Sequence, residues 1–168
     1  MNTQSQAAAN APIFAAVGVR PQARPLGELL IEMRVLQAEA LAEGLAAQHL
    51  EGERIGEALV RLKHCSEWDV CRALAQQFGL PSRESAEIGD IEDVLVERLP
   101  IQYARGSLVL PWQLDQQFGV LRVFAADPLK ILDLDDLCGV YDAVDLEITL
   151  MPKSTVLDLI NRVYARRT

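Results

Sequence analysis

Aromatic residues are scarce in this chain, 5% against 50% hydrophobic residues overall, so any core must be mostly aliphatic. Basic residues are also outnumbered, 16 Lys and Arg against 24 Asp and Glu, for a formal net charge of −8. That balance excludes general binding of DNA or RNA, which rests on neutralising phosphates. It also argues against a basic patch for a membrane surface. It leaves room for a small anionic ligand, because salt screens remote charge beyond about 8 Å and one contacting arginine can dominate locally. Cysteine is sparse as well: Cys65, Cys71 and Cys138. Their spacing is not that of a zinc knuckle, and no metal ligands are nominated. No basic stretch precedes an apolar run in the way a secretory signal requires. Reduced thiols and a cytoplasmic location are therefore expected. The run from Ala11 to Val19 is too short to span a bilayer. Two chemical motifs are missing: the Gly-x4-Gly-Lys-Ser/Thr phosphate cradle and the Gly-x-Ser-x-Gly elbow. No catalytic residue is nominated, and the chain reads as non-enzymatic with no cofactor.

What the sequence does have is a repeat between Pro25 and Pro81. Leu26-Gly27-Glu28-Leu29-Leu30-Ile31 recurs as Ile55-Gly56-Glu57-Ala58-Leu59-Val60, an offset of 56 − 27 = 29 residues. The same offset carries Leu41 onto Val70, Leu45 onto Leu74, Ala46 onto Ala75 and Gln48 onto Gln77. Each copy predicts a short helix, a turn and a longer helix. Leu26, Leu29, Leu30 and Met33 fall at i, i+3, i+4, i+7, the spacing of one helical face. Leu41 and Leu45 stack one turn apart, with Gln48 following. Gly27 and Gly56 open helices, where backbone N–H groups can face an anion and a ligand can come close. Arg54 precedes Ile55-Gly56 with a planar fork suited to phosphate or to stacking on a purine. The bland alternative is that leucines at helical spacing are simply core.

The pattern resembles the MshEN-type repeat of the N-terminal region of type II secretion and type IV pilus assembly ATPases, also found fused to membrane glycosyltransferases. There an Arg-Leu-Gly start leads to a Leu-x3-Leu-x2-Gln end, twice over. The residues that match are Leu26, Gly27, Leu41, Leu45 and Gln48, then Arg54, Ile55, Gly56, Val70, Leu74 and Gln77. Pro25 stands where the first arginine belongs, and Arg24 lies one residue early. Arg34 and Lys63 replace the usual turn glycine, which is tolerable where the turn avoids positive φ. The resemblance implies a cyclic di-GMP site built from Arg24 and the matching residues. It implies a regulatory module of a secretion or pilus ATPase, or of a membrane glycosyltransferase, at the inner membrane without direct insertion. The alternative is an adaptor of the same fold that docks on an inner-membrane assembly protein and binds no nucleotide.

The rest of the chain changes period. Residues 1–23 are Ala-, Gln- and Asn-rich and read as a disordered or loosely docked tail. Gly79-Leu80-Pro81 closes the helical unit, 24–81. Residues 82–89 read as a linker, and 90–168 as a small α/β sandwich of order α-β-β-α-β-α. Asp90 is expected to cap a helix running to Leu99, and Pro100 to open a short turn. Leu108–Leu114 and Gly119–Ala125 form a hairpin around Asp115–Phe118. Asp127-Pro128 should start a helix that ends at Cys138 and is closed by Gly139. Val144–Leu150 alternates as a strand, and Val156, Ile160, Val163 and Tyr164 mark the inner face of a final helix. Leu110-Pro111, Ala126-Asp127-Pro128 and Met151-Pro152 carry the family resemblance through this half. The expected fold class is thus α + α/β, a helical repeat bundle followed by a small α/β unit.

Overall fold

The repeat folds as two helical hairpins, α1 (Leu26–Glu32) with α2 (Ala38–Glu51), and α3 (Ile55–Arg61) with α4 (Glu67–Phe78). The structure is a computed structural model that describes residues 24–130 and 135–166. The tail 1–23 lies outside the described residues. Helices pair across the repeats: α1 lies against α4, and α2 against α3. This exchange is reciprocal, as the offset of 29 predicts for two copies around a local two-fold axis. Leu29, Leu30, Leu36, Leu59 and Ala73 form the small aliphatic core between them.

The turns inside the two hairpins are the same. Val35 N–H donates to the Leu30 carbonyl and His64 N–H to the Leu59 carbonyl, each at 3.0 Å. This reach-back bond needs the preceding residue in the left-handed region. Those residues are Arg34 at φ 59° and Lys63 at φ 62°, so the expectation that the turns avoid positive φ is not met. Each turn accepts a strained side chain at about 1–2 kcal/mol in order to satisfy its helix-end carbonyls.

The second half holds a 3-10 turn (Ile88–Asp90), α5 (Asp93–Glu97), α6 (Ile101–Ser107), β1 (Val109–Asp115), β2 (Val120–Ala125), α7 (Asp135–Tyr141), β3 (Asp145–Leu150) and α8 (Lys153–Ala165). The sheet order is β1-β2-β3, with β1 antiparallel to β2 and β2 parallel to β3. Leu121, Val123, Leu146, Ile148 and Leu150 share one core with Val156, Leu159, Ile160 and Val163 of α8. This is the mixed helical and three-stranded fold class that the sequence predicts.

Two helix boundaries differ from expectation. The helix expected from Asp90 to Leu99 is broken at Ile91, which is extended and 4% exposed. Glu92 N–H donates to the Trp112 carbonyl at 3.0 Å, so burying Ile91 against β1 outweighs helix continuity. Gly139 does not close the helix before β3 but lies within α7. Tyr141 is 1% exposed and its hydroxyl donates to the Leu95 carbonyl, which extends α7 beyond the glycine. Asp142, at φ 54°, takes the left-handed terminating position instead. Asp127-Pro128 opens a 3-10 turn at 128–130; residues 131–134 lie outside the described residues.

The connector 82–89 is anchored. Leu150 N–H donates to the Pro81 carbonyl and Arg83 N–H to the Leu150 carbonyl, each at 2.9 Å. Helix α4 serves both cores: Ala73 belongs to the helical one, whereas Cys71 and Ala75 belong to the α/β one. Glu67 at the start of α4 accepts from Ser154 N–H (2.9 Å) and Oγ (2.7 Å), and so caps α8 from outside.

Candidate functional site

Gly27 and Gly56 are buried inside the repeats rather than open to solvent. A Cβ on Gly27 would lie 2.5 Å from Leu41 Cδ1, and one on Gly56 would lie 2.8 Å from Val70 Cγ1 and 3.3 Å from Leu26 Cδ2. In each copy the glycine admits the first aliphatic residue of the long-helix stripe. Close approach at these positions serves helix packing, and the approaching group is Leu41 or Val70. Ile55 and Leu26 are half-buried against the helical core.

The stripe ends differ between the copies. Leu74 packs against the α/β core. Its counterpart Leu45 is 50% exposed. The Gln77 amide donates to the Arg24 carbonyl at 2.7 Å, and so ties the end of α4 to the start of α1. Its counterpart Gln48 lines an open cavity of about 440 Å³ together with Leu45, His49, Gly52 and Glu53. Glu53 is the residue equivalent to Arg24 at the repeat offset, so each glutamine faces the entry of the other copy. The first half-site is therefore open and the second is closed.

Arg54, directly after Glu53, is the residue before α3. Its Nη1 lies 2.6 Å from Asp127 Oδ2; the Arg54 side chain is 57% exposed and that of Asp127 only 10%. Asp127 Oδ1 also accepts from Leu129 N–H at 2.9 Å. The sequence marks Ala126-Asp127-Pro128 as a helix start and carries no local sign that it meets Arg54. The signal was present in the order of the two family motifs, but not their meeting. Arg24, the other arginine, is paired with Glu32 away from this cluster. Glu53 is not a free carboxylate at the cavity, because Arg61 holds it. That hydrogen bond is the first cause of the raised Arg61 pKa.

Burial pushes the Cys71 thiol up to about 12 and, with the Asp69 charge adding to it, the Cys65 thiol up to about 11. Among the described residues no three His, Cys, Asp or Glu side chains are grouped to hold a metal. A second cavity, about 360 Å³, lies between Gly79–Pro81 and the β3 edge beside Trp112 and Arg122, and contains none of the nominated residues. No helix among the described residues is long and apolar enough to cross a membrane.

The chain is similar in sequence and fold to known proteins. The chain is 28% identical over 142 residues to the type IV pilus assembly ATPase PilB of Myxococcus xanthus, covering 84% of this chain and 24% of the relative. It is 33% identical over 92 residues to bacteriophage adsorption protein B of Escherichia coli K12, covering 55% of this chain and 12% of that protein. It thus spans a quarter or less of the length of these relatives. Among solved structures, that of MshE with cdg superposes with a TM-score of 0.68 at 26% identity, over 84% of this chain and 99% of that one. The N-terminal domain of XpsE shares the fold, with a TM-score of 0.60 at 24% identity over 82% of this chain and 92% of its own. The family pattern of the MshEN domain matches residues 78–168, from the end of α4 through α8. With more than half its length matched, this chain belongs to the MshEN domain family.

Proposed function

We propose that this chain is a non-enzymatic regulatory module that binds cyclic di-GMP and acts on a secretion or pilus ATPase, or on a membrane glycosyltransferase, from the cytoplasmic side of the inner membrane. The observation that carries the reading is the open half-site at Leu45, Gln48 and Glu53, followed directly in the chain by an arginine that holds a little-exposed carboxylate. Leu45 and Gln48 line the cavity together with Glu53, and the next residue in the chain, Arg54, pairs with Asp127. Arg54 can take a phosphate oxygen or stack on a purine. Asp127 is an acceptor at low exposure, suited to the N–H donors on the pairing edge of guanine. Leu45 covers an apolar ring or ribose face, and Gln48 supplies an amide whose side chain has no hydrogen-bond partner among the described residues. The likeness to MshE with cdg supports this ligand class, and the PilB relatives support the ATPase setting.

Isothermal titration of the full chain with cyclic di-GMP tests it. Wild type should bind, and Arg54→Ala should lose about 1.5–3 kcal/mol, roughly ten- to more than a hundredfold. A specific observation favours the adaptor alternative: Arg54 is already paired, and the glycine positions are filled by Leu41 and Val70. No heat and no chemical-shift change at millimolar cyclic di-GMP would leave the adaptor as the reading.

A further inference from the structure

Arg34 and Lys63 stand apart from every other described cation. Each remaining described lysine or arginine has a carboxylate, amide or carbonyl acceptor within the fold. Arg34 and Lys63 have none among the described residues, and both are exposed. Of the carboxylates near them in sequence, Glu32 is engaged by Arg24, Glu43 by His64, and Asp69 by Arg72 and Ser66, while the exposed Glu39 pairs with neither cation. The two are equivalent at the repeat offset, 63 − 34 = 29. Both sit at positive φ, where glycine costs less.

They also share one pole of the bundle. The Gln77–Arg24 bond fixes the end of α4 beside the start of α1, so these helices run antiparallel. The end of α1 therefore lies beside the start of α4. Met33, Leu36 and Cys65, from the two turns, enter the same small core. The pole lies opposite the cavity of Leu45 and Gln48, which is at the far ends of α2 and α3.

We infer that this pole is a docking point for a carboxylate-rich segment of a partner protein, with Arg34 and Lys63 as its paired anchors. The positive φ satisfies the helix-end carbonyls, for which glycine would serve at less cost; that both equivalent positions instead carry a cation unpaired among the described residues points to use of the side chains. A carboxylate is the complementary group for both. Two cations are too few to hold a chain of net charge −8 on an anionic bilayer or a nucleic acid. The inference does not depend on cyclic di-GMP binding.

The test is an NMR titration of the 15N-labelled full chain with an octaglutamate peptide at low salt. Amide shifts should cluster at residues 33–36 and 62–65. Affinity should fall about tenfold or more in the double variant Arg34→Gly, Lys63→Gly. That variant should melt no lower than wild type, so the loss is not unfolding; Arg34→Asn with Lys63→Asn, also tolerant of positive φ, should behave alike. Arg162→Gln, which removes an exposed arginine paired with Asp158, should leave binding unchanged. An equal loss in Arg162→Gln, unchanged binding in the double variants, or shifts centred on Arg54 would overturn the inference. So would sedimentation of wild type, but not of the double variant, with phosphatidylserine vesicles.

Discussion

Replacing Gly56 by alanine separates helix packing from ligand approach as the reason for the glycine. The new Cβ would lie 2.8 Å from Val70 Cγ1, a contact that real structures do not sustain. Val70 is β-branched and sits within α4, where its χ1 is close to fixed, so the γ-methyl cannot swing aside. Helix α4 cannot retreat either, because Cys71 and Ala75 hold it in the α/β core. Overpacking of this kind costs about 1–3 kcal/mol. Against it stands the better helix propensity of alanine, at most about 1 kcal/mol. The net expectation is a loss of about 1–2 kcal/mol in urea denaturation. Gly27→Ala is the internal control. Its clash is with the terminal methyls of Leu41, which can rotate away, so its cost should be below about 1 kcal/mol. Val70→Ala in the Gly56→Ala background should recover part of the loss, as contacting residues are not additive. A neutral or stabilising Gly56→Ala, or a Gly27→Ala that costs more, would refute the packing account.

Other outcomes follow from the same geometry. Leu45→Ala, at a half-exposed position, should cost under about 1 kcal/mol, whereas Leu59→Ala at 0% exposure should cost about 2–5 kcal/mol, both read by denaturant midpoints. Arg54→Ala should lower stability by only about 1 kcal/mol by removing the partner of Asp127, a modest figure because the arginine is mostly exposed. Asp127→Asn should cost no more in stability, yet weaken cyclic di-GMP in titration if the carboxylate reads guanine. Cys71 and Cys65 should resist thiol reagents at pH 8, since both thiols are raised, to about 12 and about 11, and labelling should follow unfolding. Because the folded thiols keep their protons longer than the unfolded ones, stability should fall as pH rises from 9 and not below it, measured by denaturation at successive pH values.

Local chemistry made the helices, the hairpin and the final helix legible in advance. Leucines at 3.6-residue spacing and the strand pattern in Val120–Ala125 are interactions within a few residues, so the sequence carries them whole. The repeat offset also foretold that α1 and α3 would be equivalent. What the sequence could not carry is which equivalent surface stays open. Leu45 and Leu74 are the same residue in the same register, but the α/β unit covers only the second. Gly27 and Gly56 looked like openings for a ligand, yet their partners are aliphatic side chains 14 residues along the chain. Gly139 looked like a stop until the burial of Tyr141 carried α7 beyond it. Arg54 and Asp127 are 73 residues apart and meet only because α4 joins the two cores. Burial and long-range pairing depend on what covers a surface, and that is decided by the tertiary packing of distant segments.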